Sequence, residues 1–307
     1  MNRRRIFASA ERAAREARDL SLAFVALLFF VAAVALPMRT VVATVGFLAR
    51  QVGMRVPRLR RIGMRNLSLA FPEKTDAEKL EILRQSWDNM GRTASEYFYI
   101  DRLWDFDPSA SAPGRIEVEG REQFIRLATD NKPAIILAAH LANWELPMVA
   151  ASRLGLEAAA LFAHVRNRRI GRMVLARRRS VMGKLIGSEL GAPHRLAEAL
   201  HSGLHLGLLV DQYFEAGPRI TMFGHPTRFN PIFARLARQI ECPVHMVRVV
   251  RLPRGRFRIE LGEELDLPRD AGGRIDVAMS AQRVADIVEG WVREQPGQWI
   301  WVHRRWR

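Results

Sequence analysis

Apolar residues fall into short continuous runs that alternate with stretches of helical periodicity. Runs typical of strands lie at Ile116–Glu119, 133–139, Ala158–Phe162, 206–210, 244–250 and 257–261. Helices are predicted over 75–97, 121–130, 146–153, 168–185, 193–201, 231–239 and 278–293. Strands that alternate with helices predict an α/β fold with a mostly parallel central sheet flanked by helices.

The helix that starts near residue 75 carries the clearest start signal. Thr75 is in the N-cap position and Glu78 follows three residues later, as in a capping box. Leu80, Leu83 and Trp87 then recur on one helical face, which predicts an amphipathic helix packed against a core.

The longest apolar run lies near the N-terminus, where residues 20–38 carry no charge. At about 1.5 Å per residue, a helix of this length approaches the ~30 Å hydrocarbon core of a bilayer. The run is longer than the apolar region of a cleaved signal peptide, and arginines on both sides disfavour a buried core helix. We therefore predict a membrane anchor over 1–50, a basic connector over 51–66, and a catalytic domain over 51–307.

The orientation of this anchor stays open. It is either a single span with the large domain inside the cell or an oblique helix whose flanking arginines face the headgroups of one leaflet.

Composition removes several classes of protein. An apolar content of 49% excludes a disordered chain, and the single Cys242 excludes a disulfide framework. The scattered histidines offer no zinc spacing, and no Gly-Lys-Ser/Thr loop is present, so neither a metal nor a nucleotide cofactor is expected.

The charge distribution bears on the partner. Of the formal net charge of +16, +10 lies in residues 1–66, which hold 13 arginines against three acids. Because this basic excess flanks an apolar run rather than a recognised binding module, a nucleic-acid-binding protein is excluded. A membrane surface fits it better.

A polar turn follows the apolar run at 133–139 and contains His140 and Glu145. In open α/β sheets ligands gather beyond the carboxyl ends of strands, which makes this a favoured place for chemistry. On an ideal helix this spacing separates two side chains by about 140°, so the pair meets only if His140 lies in the turn and Glu145 in the first helical turn. A meeting pair would form a general base with an orienting carboxylate. A strand–helix junction that both residues merely cap is the alternative, and spacing does not decide between them.

Several ordered segments resemble one family. His140–Glu145 resembles the HX4(D/E) motif of the bacterial lipid A secondary acyltransferases (the lauroyl and myristoyl acyltransferases), which belong to the glycerolipid acyltransferase superfamily. Residues 65–73 resemble the family's RNL…FPE segment. Residues 211–212, 217–218 and 222–227 resemble its D…GP…FFG block, and residues 295–306 resemble its aromatic and basic ending.

The resemblance implies an acyltransferase of the cell inner membrane, with its catalytic domain on the cytoplasmic side. It would move a fatty acyl chain from an acyl carrier protein thioester to a hydroxyl of a lipid A precursor. In that mechanism His140 is the general base and Glu145 orients it, with no metal, cofactor or covalent acyl-enzyme.

One departure concerns the acceptor. Where the family has a Tyr-Arg-Pro run, this chain has Ala163 at the arginine position, so Arg166 or His164 takes over or the acceptor differs. Guanidinium groups suit the acceptor's phosphates. The candidate substrate-binding residues are Arg166, Asn167, Arg169, Asp211, Gln212, Phe223, Gly224 and Arg228.

Three alternatives stay open. The arginines between 166 and 179 are either a surface for the acidic carrier protein or a solvated helix face. The acceptor could instead be a lysophospholipid or another glycolipid. The third possibility is a basic membrane protein without catalysis.

Overall fold

The computed structural model describes residues 16, 19–21, 36–110, 114–163 and 167–307. The helices in these ranges are α1 (Met38–Met54), α2 (Pro57–Ala70), α3 (Asp76–Glu96), α4 (Ile100–Leu103), α5 (Arg121–Thr129), α6 (Leu146–Arg153), α7 (Arg168–Arg179), α8 (Ala192–His201), α9 (Ile232–Ile240) and α10 (Val277–Glu294). The strands are β1 (Ile116–Glu119), β2 (Ile135–Ala138), β3 (Ala158–Phe162), β4 (Lys184–Gly187), β5 (His205–Leu209), β6 (Arg219–Met222), β7 (His225–Arg228), β8 (Val244–Leu252) and β9 (Arg256–Glu264).

Seven strands form one sheet in the order β1-β9-β8-β2-β5-β3-β4. The five neighbouring strands β8, β2, β5, β3 and β4 run parallel to one another. Strand β9 is antiparallel to β8, and β1 is parallel to β9. The predicted α/β fold with a mostly parallel, helix-flanked sheet is confirmed.

The central strand β2 is buried on both faces. Ile135 and Leu137 belong to the core under α8, α9 and α10, whereas Ile136 and Ala138 belong to the core under α5 and α6. A strand covered on both sides has no polar positions, which explains its uninterrupted apolar sequence.

The capping box predicted at Thr75 is present. The Thr75 hydroxyl accepts from the Glu78 amide at 3.3 Å, and the Thr75 amide donates to the Glu78 carboxylate at 2.8 Å. The helix that starts here, α3, continues to Glu96, so the helix predicted over 75–97 is confirmed.

Two predictions about the secondary structure are wrong. Residues 51–66 are not a connector but the end of α1 and most of α2. A helix accommodates these arginines because they lie on its outer side, while its other side packs inward. The basic helix predicted over 168–185 ends earlier, at Arg179. Four residues later Gly183, with φ +71°, turns the chain into the edge strand β4.

A hairpin of β6 and β7 was not predicted. Its two turn residues, Phe223 and Gly224, both have positive φ (53° and 74°), as the tight turns of two-residue hairpins require.

The predicted anchor falls mostly outside the described residues, since 22–35 lie beyond them. Within the described ranges, no helix combines the length and the apolar character that crossing a membrane requires.

Candidate active site

His140 and Asp211 meet at the carboxyl ends of two neighbouring strands. His140 lies two residues beyond β2 and Asp211 two residues beyond β5, and the register pairs Ala138 with Leu209. His140 Nδ1 lies 2.7 Å from Asp211 Oδ1, and the His140 backbone amide donates to Asp211 Oδ2 at 3.2 Å. This edge of the sheet is where ligands bind in open α/β folds.

Asp211 is fully buried and is held ionised by its neighbours. Its Oδ2 accepts from Trp299 Nε1 at 2.7 Å, and Arg305 Nη2 lies 3.7 Å away. Burial alone would raise the pKa of Asp211, but the charge and hydrogen bond of His140, with Arg305 and Trp299, outweigh burial and hold that pKa well below its usual range. Burial lowers the pKa of Arg305 to about 10, which leaves it charged at neutral pH.

The ionised carboxylate sets the tautomer of His140. A carboxylate only accepts hydrogen bonds, so Nδ1 of the neutral ring carries the proton and Nε2 is left unprotonated, as an acceptor. Gln212 Nε2 lies 3.4 Å from this Nε2, and the Trp144 ring centroid lies 5.2 Å from the imidazole centroid. His140 can therefore take a proton through Nε2.

A second histidine, His303, lies near this site but is neutral. It accepts from the Tyr213 amide at 3.3 Å, and burial, with the charge of Arg305, lowers the pKa of His303 to about 4.

Glu145 does not pair with His140, which corrects our prediction. Its carboxylate forms a two-point ion pair with Arg178, with distances of 2.6 Å to Nη2 and 3.1 Å to Nε. The Tyr97 hydroxyl lies 2.6 Å from the same Nη2, and the pKa of Tyr97 is raised by burial and by the charge of Glu145. Because Asp211 occupies Nδ1 of His140 and Arg178 takes both oxygens of Glu145, the two predicted partners belong to separate pairs.

Hydrogen bonds from α3 hold the turn between His140 and Glu145 in place. Ala142, with φ +47°, has its carbonyl accepting from Asn89 at 3.2 Å and from Thr93 at 2.8 Å. Asn143 donates to Glu96 at 2.9 Å and accepts from the Glu145 amide at 3.2 Å. The position of the turn therefore depends on polar groups that are themselves buried.

Arg251 of β8 neutralises this buried cluster. It pairs with both oxygens of Glu96 at 2.5 Å and 3.0 Å, and it donates to Asn89 and Thr93. Glu96 is 3% exposed and Arg251 12%, so each charge depends on the other.

We expect Arg251→Met to lower the free energy of unfolding by about 3–5 kcal/mol, because it leaves the Glu96 charge buried without an opposite charge. The half-exposed Arg256, which pairs with Glu117, gives a matched control. Arg256→Met should cost about 1 kcal/mol or less. Denaturant unfolding of the full chain in detergent measures both values. Equal losses would contradict the assignment, and adding Glu96→Gln to Arg251→Met should recover part of the stability.

Two apolar cavities meet beside the turn. One, the small-residue cavity, lies between the sheet and α6; among its lining residues are Ala138, Ala158, Ala160, Gly207, Pro147, Met148 and Ala151. The other, the α7 cavity, has a volume of about 860 Å³ and includes Met90, Tyr97, Phe98, Met173 and Val174. Trp144 and Arg178 line both cavities.

The remaining predicted site residues lie in different places. Asn167 caps α7, accepting from the amides of Arg169 and Ile170, and donates to the Asp19 carbonyl. The Arg169 side chain is exposed, and Arg166 lies outside the described residues. The Glu145–Arg178 pair and the Trp299–Asp211 bond are site features that the sequence did not reveal.

The hairpin residues lie apart from the histidine. Phe223 is buried among Phe71, Trp299, Trp301 and Trp306, and Gly224 completes the turn. Arg228 donates to the Gly217 carbonyl at 2.9 Å. Among the described residues no hydrogen bond or ion pair joins these three to His140, and their predicted role in binding substrate stays a prediction.

Together, a histidine with an unprotonated ring nitrogen, a buried carboxylate behind it and apolar cavities beside it define an α/β enzyme suited to general-base chemistry on an apolar substrate. The model of the bacterial lipid A biosynthesis acyltransferase family matches residues 11–307. The chain belongs to this family, and it is therefore an acyltransferase.

Individual relatives agree with this assignment. The chain is 28% identical to lipid A biosynthesis acyltransferase 2 of Shigella flexneri over 260 residues, which cover 83% of this chain and 80% of the relative. It is 23% identical to the lipid A biosynthesis palmitoleoyltransferase of Escherichia coli (strain K12) over 280 residues, covering 85% and 84%.

Proposed function

We propose that the protein transfers a fatty acyl chain from an acyl carrier protein thioester to a hydroxyl of a lipid A precursor. The reaction takes place at the inner membrane, with the catalytic domain on the cytoplasmic side. The observation that carries the proposal is the His140–Asp211 pair at the edge of the sheet, beside two apolar cavities, in a chain of the lipid A acyltransferase family.

In the proposed reaction His140 acts as the general base. Its Nε2 takes the proton of the acceptor hydroxyl while the hydroxyl oxygen attacks the thioester carbonyl. Asp211 keeps the other proton on Nδ1 and stabilises the imidazolium as it forms. When the carbon–sulfur bond breaks, the thiolate of the carrier takes the proton back from Nε2, and the histidine returns to its starting form.

Glu145 then has a different role from the one we first predicted. Its ion pair fixes Arg178, and with it Tyr97, where the two cavities meet. We propose that this pair shapes the passage between the cavities and keeps the acyl chain and the reacting carbonyl aligned with His140.

The α7 cavity, with a volume of about 860 Å³, supplies a place for the acyl chain, whereas the small-residue cavity has a volume of only about 60 Å³. Apolar side chains such as Met173 and Val174 line it, and so does Trp144, whose ring centroid lies 5.2 Å from the His140 imidazole centroid. An apolar chain gains about 0.8 kcal/mol for each buried methylene, so a cavity of fixed depth favours donors of a limited length.

We expect Val174→Phe to favour shorter acyl donors, because the added ring carbons occupy part of the α7 cavity. The ratio of kcat/KM for a long donor to that for one two carbons shorter should fall about tenfold, as the burial of one or two methylenes is lost. Competition between the two donors, resolved by mass spectrometry, measures the ratio within one sample. An unchanged ratio with a folded variant would place the acyl chain elsewhere.

The phosphates of the acceptor require positive charge near the site. Arg166, Arg169 and Arg228, together with Asn167, stay the proposed binding residues. Ala163, at the family's arginine position, is exposed, and this departure keeps a second acceptor class open, namely a lysophospholipid or another glycolipid.

Full-length protein in detergent, supplied with an acyl carrier protein thioester, tests the proposal. The acceptors are a lipid A precursor with and without its attached sugar, a lysophospholipid and a neutral glycolipid. We expect one added acyl chain on the precursor by mass spectrometry. Acylation of the lysophospholipid alone would overturn the proposed acceptor, and acyl coenzyme A used as well as the carrier thioester would overturn the proposed donor.

A further inference from the structure

The first two helices carry positive charge that nothing in the described structure neutralises. Residues 37–72 contain seven arginines and no acidic residue; the arginines are Arg39, Arg50, Arg55, Arg58, Arg60, Arg61 and Arg65. Among the described residues none of the seven has a carboxylate partner, and Arg55 donates only to Gln51. By contrast, Arg248, Arg251, Arg256 and Arg258 of β8 and β9 all form ion pairs.

Helix α1 is apolar on two opposite sides. On its inner side it packs tightly on α3: a Cβ at Gly46 would come within 2.8 Å of Asp88, and one at Gly53 would collide with the Trp87 ring. On its outer side Phe47 is 53% exposed, Leu48 50% and Val52 62%. A helix with an uncovered apolar side has a second partner.

Arginines surround a depression next to these apolar side chains. The groove where α1 meets α2 has a volume of about 420 Å³, with Met54, Pro57 and Met64 as its apolar part and Arg55, Arg60 and Arg61 as its charged part. Apolar side chains beside basic ones are the pattern of helices that lie in a membrane interface.

We propose that α1 and α2 form a surface that lies in the headgroup region of an anionic phospholipid bilayer. Phe47, Leu48 and Val52 insert among the upper acyl chains, and lipid phosphates bind in the groove of Arg55, Arg60 and Arg61. This α1–α2 surface is a membrane contact in its own right, distinct from the anchor predicted over 1–50. A bilayer fits better than an acidic protein or a nucleic acid because it buries the apolar side chains as well as neutralising the arginines.

The position of this surface connects it to the active site. Helix α3 contacts α1 through Trp87 and Asp88, and on another face it holds the catalytic turn through Asn89 and Thr93. A bilayer under α1 and α2 therefore fixes the height and the direction of His140 relative to the lipid surface. An acceptor embedded in that bilayer would need this alignment.

Fluorescence quenching in vesicles tests the proposal with the full chain. Val52→Cys receives an environment-sensitive fluorophore; the native Cys242 is buried and should not react. Met279→Cys on α10, where Met279 is 55% exposed, is the matched control. Vesicles contain phosphatidylcholine with or without phosphatidylglycerol, and a nitroxide on the upper acyl chain acts as quencher. We expect strong quenching at position 52 in anionic vesicles and little at position 279.

Replacing the arginines then distinguishes their contribution to membrane binding from that of the predicted anchor. Arg55→Gln, Arg60→Gln and Arg61→Gln together should lower the ratio of inserted to free α1–α2 surface about a hundredfold in anionic vesicles, while the protein stays in the vesicle pellet. Removal of three other exposed arginines, Arg235, Arg254 and Arg283, should leave quenching at position 52 unchanged.

Several results would overturn the proposal. Equal quenching at positions 52 and 279 would show that this surface does not enter the bilayer. Strong quenching at position 52 that is unchanged when the three arginines are replaced would show that their groove does not bind lipid phosphates. Suppression by inorganic phosphate at constant ionic strength would indicate a site for free phosphate. Protection of position 52 by the acidic carrier protein without vesicles would assign the surface to that protein. Because this readout needs no acyl transfer, it can fail or succeed independently of the proposed function.

Discussion

Replacing His140 with alanine is expected to lower kcat/KM for acyl transfer by about 10²–10⁴-fold, the usual contribution of a general base. His140 Nε2 is the nitrogen left unprotonated once Asp211 holds Nδ1, so without the ring the acceptor hydroxyl must be deprotonated by water. The loss should appear in kcat as well as in kcat/KM, because binding of the acyl donor and of the lipid acceptor does not depend on the imidazole. Single-turnover transfer from the carrier thioester measures the chemical step directly.

His303 provides the matched control. It is a second histidine near Asp211 and is already neutral, with its pKa lowered to about 4, and it contacts the Tyr213 amide rather than the carboxylate. We expect His303→Gln to retain activity within about tenfold, since it removes one hydrogen bond of ordinary strength. A folded His140→Ala protein with near-normal activity would refute the general-base mechanism.

The fold was largely predictable because its signals are local. The capping box at Thr75 and Glu78 can be recognised from four residues, and a run without polar positions predicts the buried strand β2. The predictions failed where a tertiary contact overrides a local pattern. The arginines within 51–66 suggested a connector, yet Gly46 and Gly53 allow α1 to pack closely on α3 while the arginines stay outside.

The partner of His140 could not be predicted from spacing. Glu145 is five residues away and Asp211 is 71, and local spacing favours the nearer carboxylate. The sheet order reverses this preference, because β5 lies beside β2 and brings Asp211 to the same edge. One signal was present in the sequence: Asp211 follows the apolar run at 206–210 just as His140 follows the run at 133–139.

The partner of Glu145 was hidden for a similar reason. Arg178 lies in a stretch of arginines whose simplest interpretations were a solvated helix face or a carrier-binding surface. Charge patterning does not distinguish Arg178, which pairs with a buried carboxylate, from exposed arginines such as Arg172 and Arg179. The tertiary position of α7 against Tyr97 and Glu145 makes that distinction.

Asp211→Asn is expected to reduce kcat almost as much as His140→Ala, by as much as about 10⁴-fold, because an asparagine amide neither fixes the Nδ1–H tautomer nor balances the imidazolium charge. Glu145→Gln should cost less, since Gln still accepts from Arg178 and leaves the His140–Asp211 pair intact.

Double variants decide which carboxylate works through the histidine. If Asp211 acts through His140, adding Asp211→Asn to His140→Ala should lower kcat little further, because losses within one catalytic unit do not add. Adding Glu145→Gln to His140→Ala should multiply the two losses, because Glu145 works through Arg178 at the junction of the cavities. The reverse pattern, with Glu145 non-additive and Asp211 multiplicative, would restore the HX4E pair as the catalytic unit and make Asp211 a structural residue. Denaturant unfolding of each variant separates either outcome from a loss of folded protein, because Asp211 is buried beside Trp299 and Arg305.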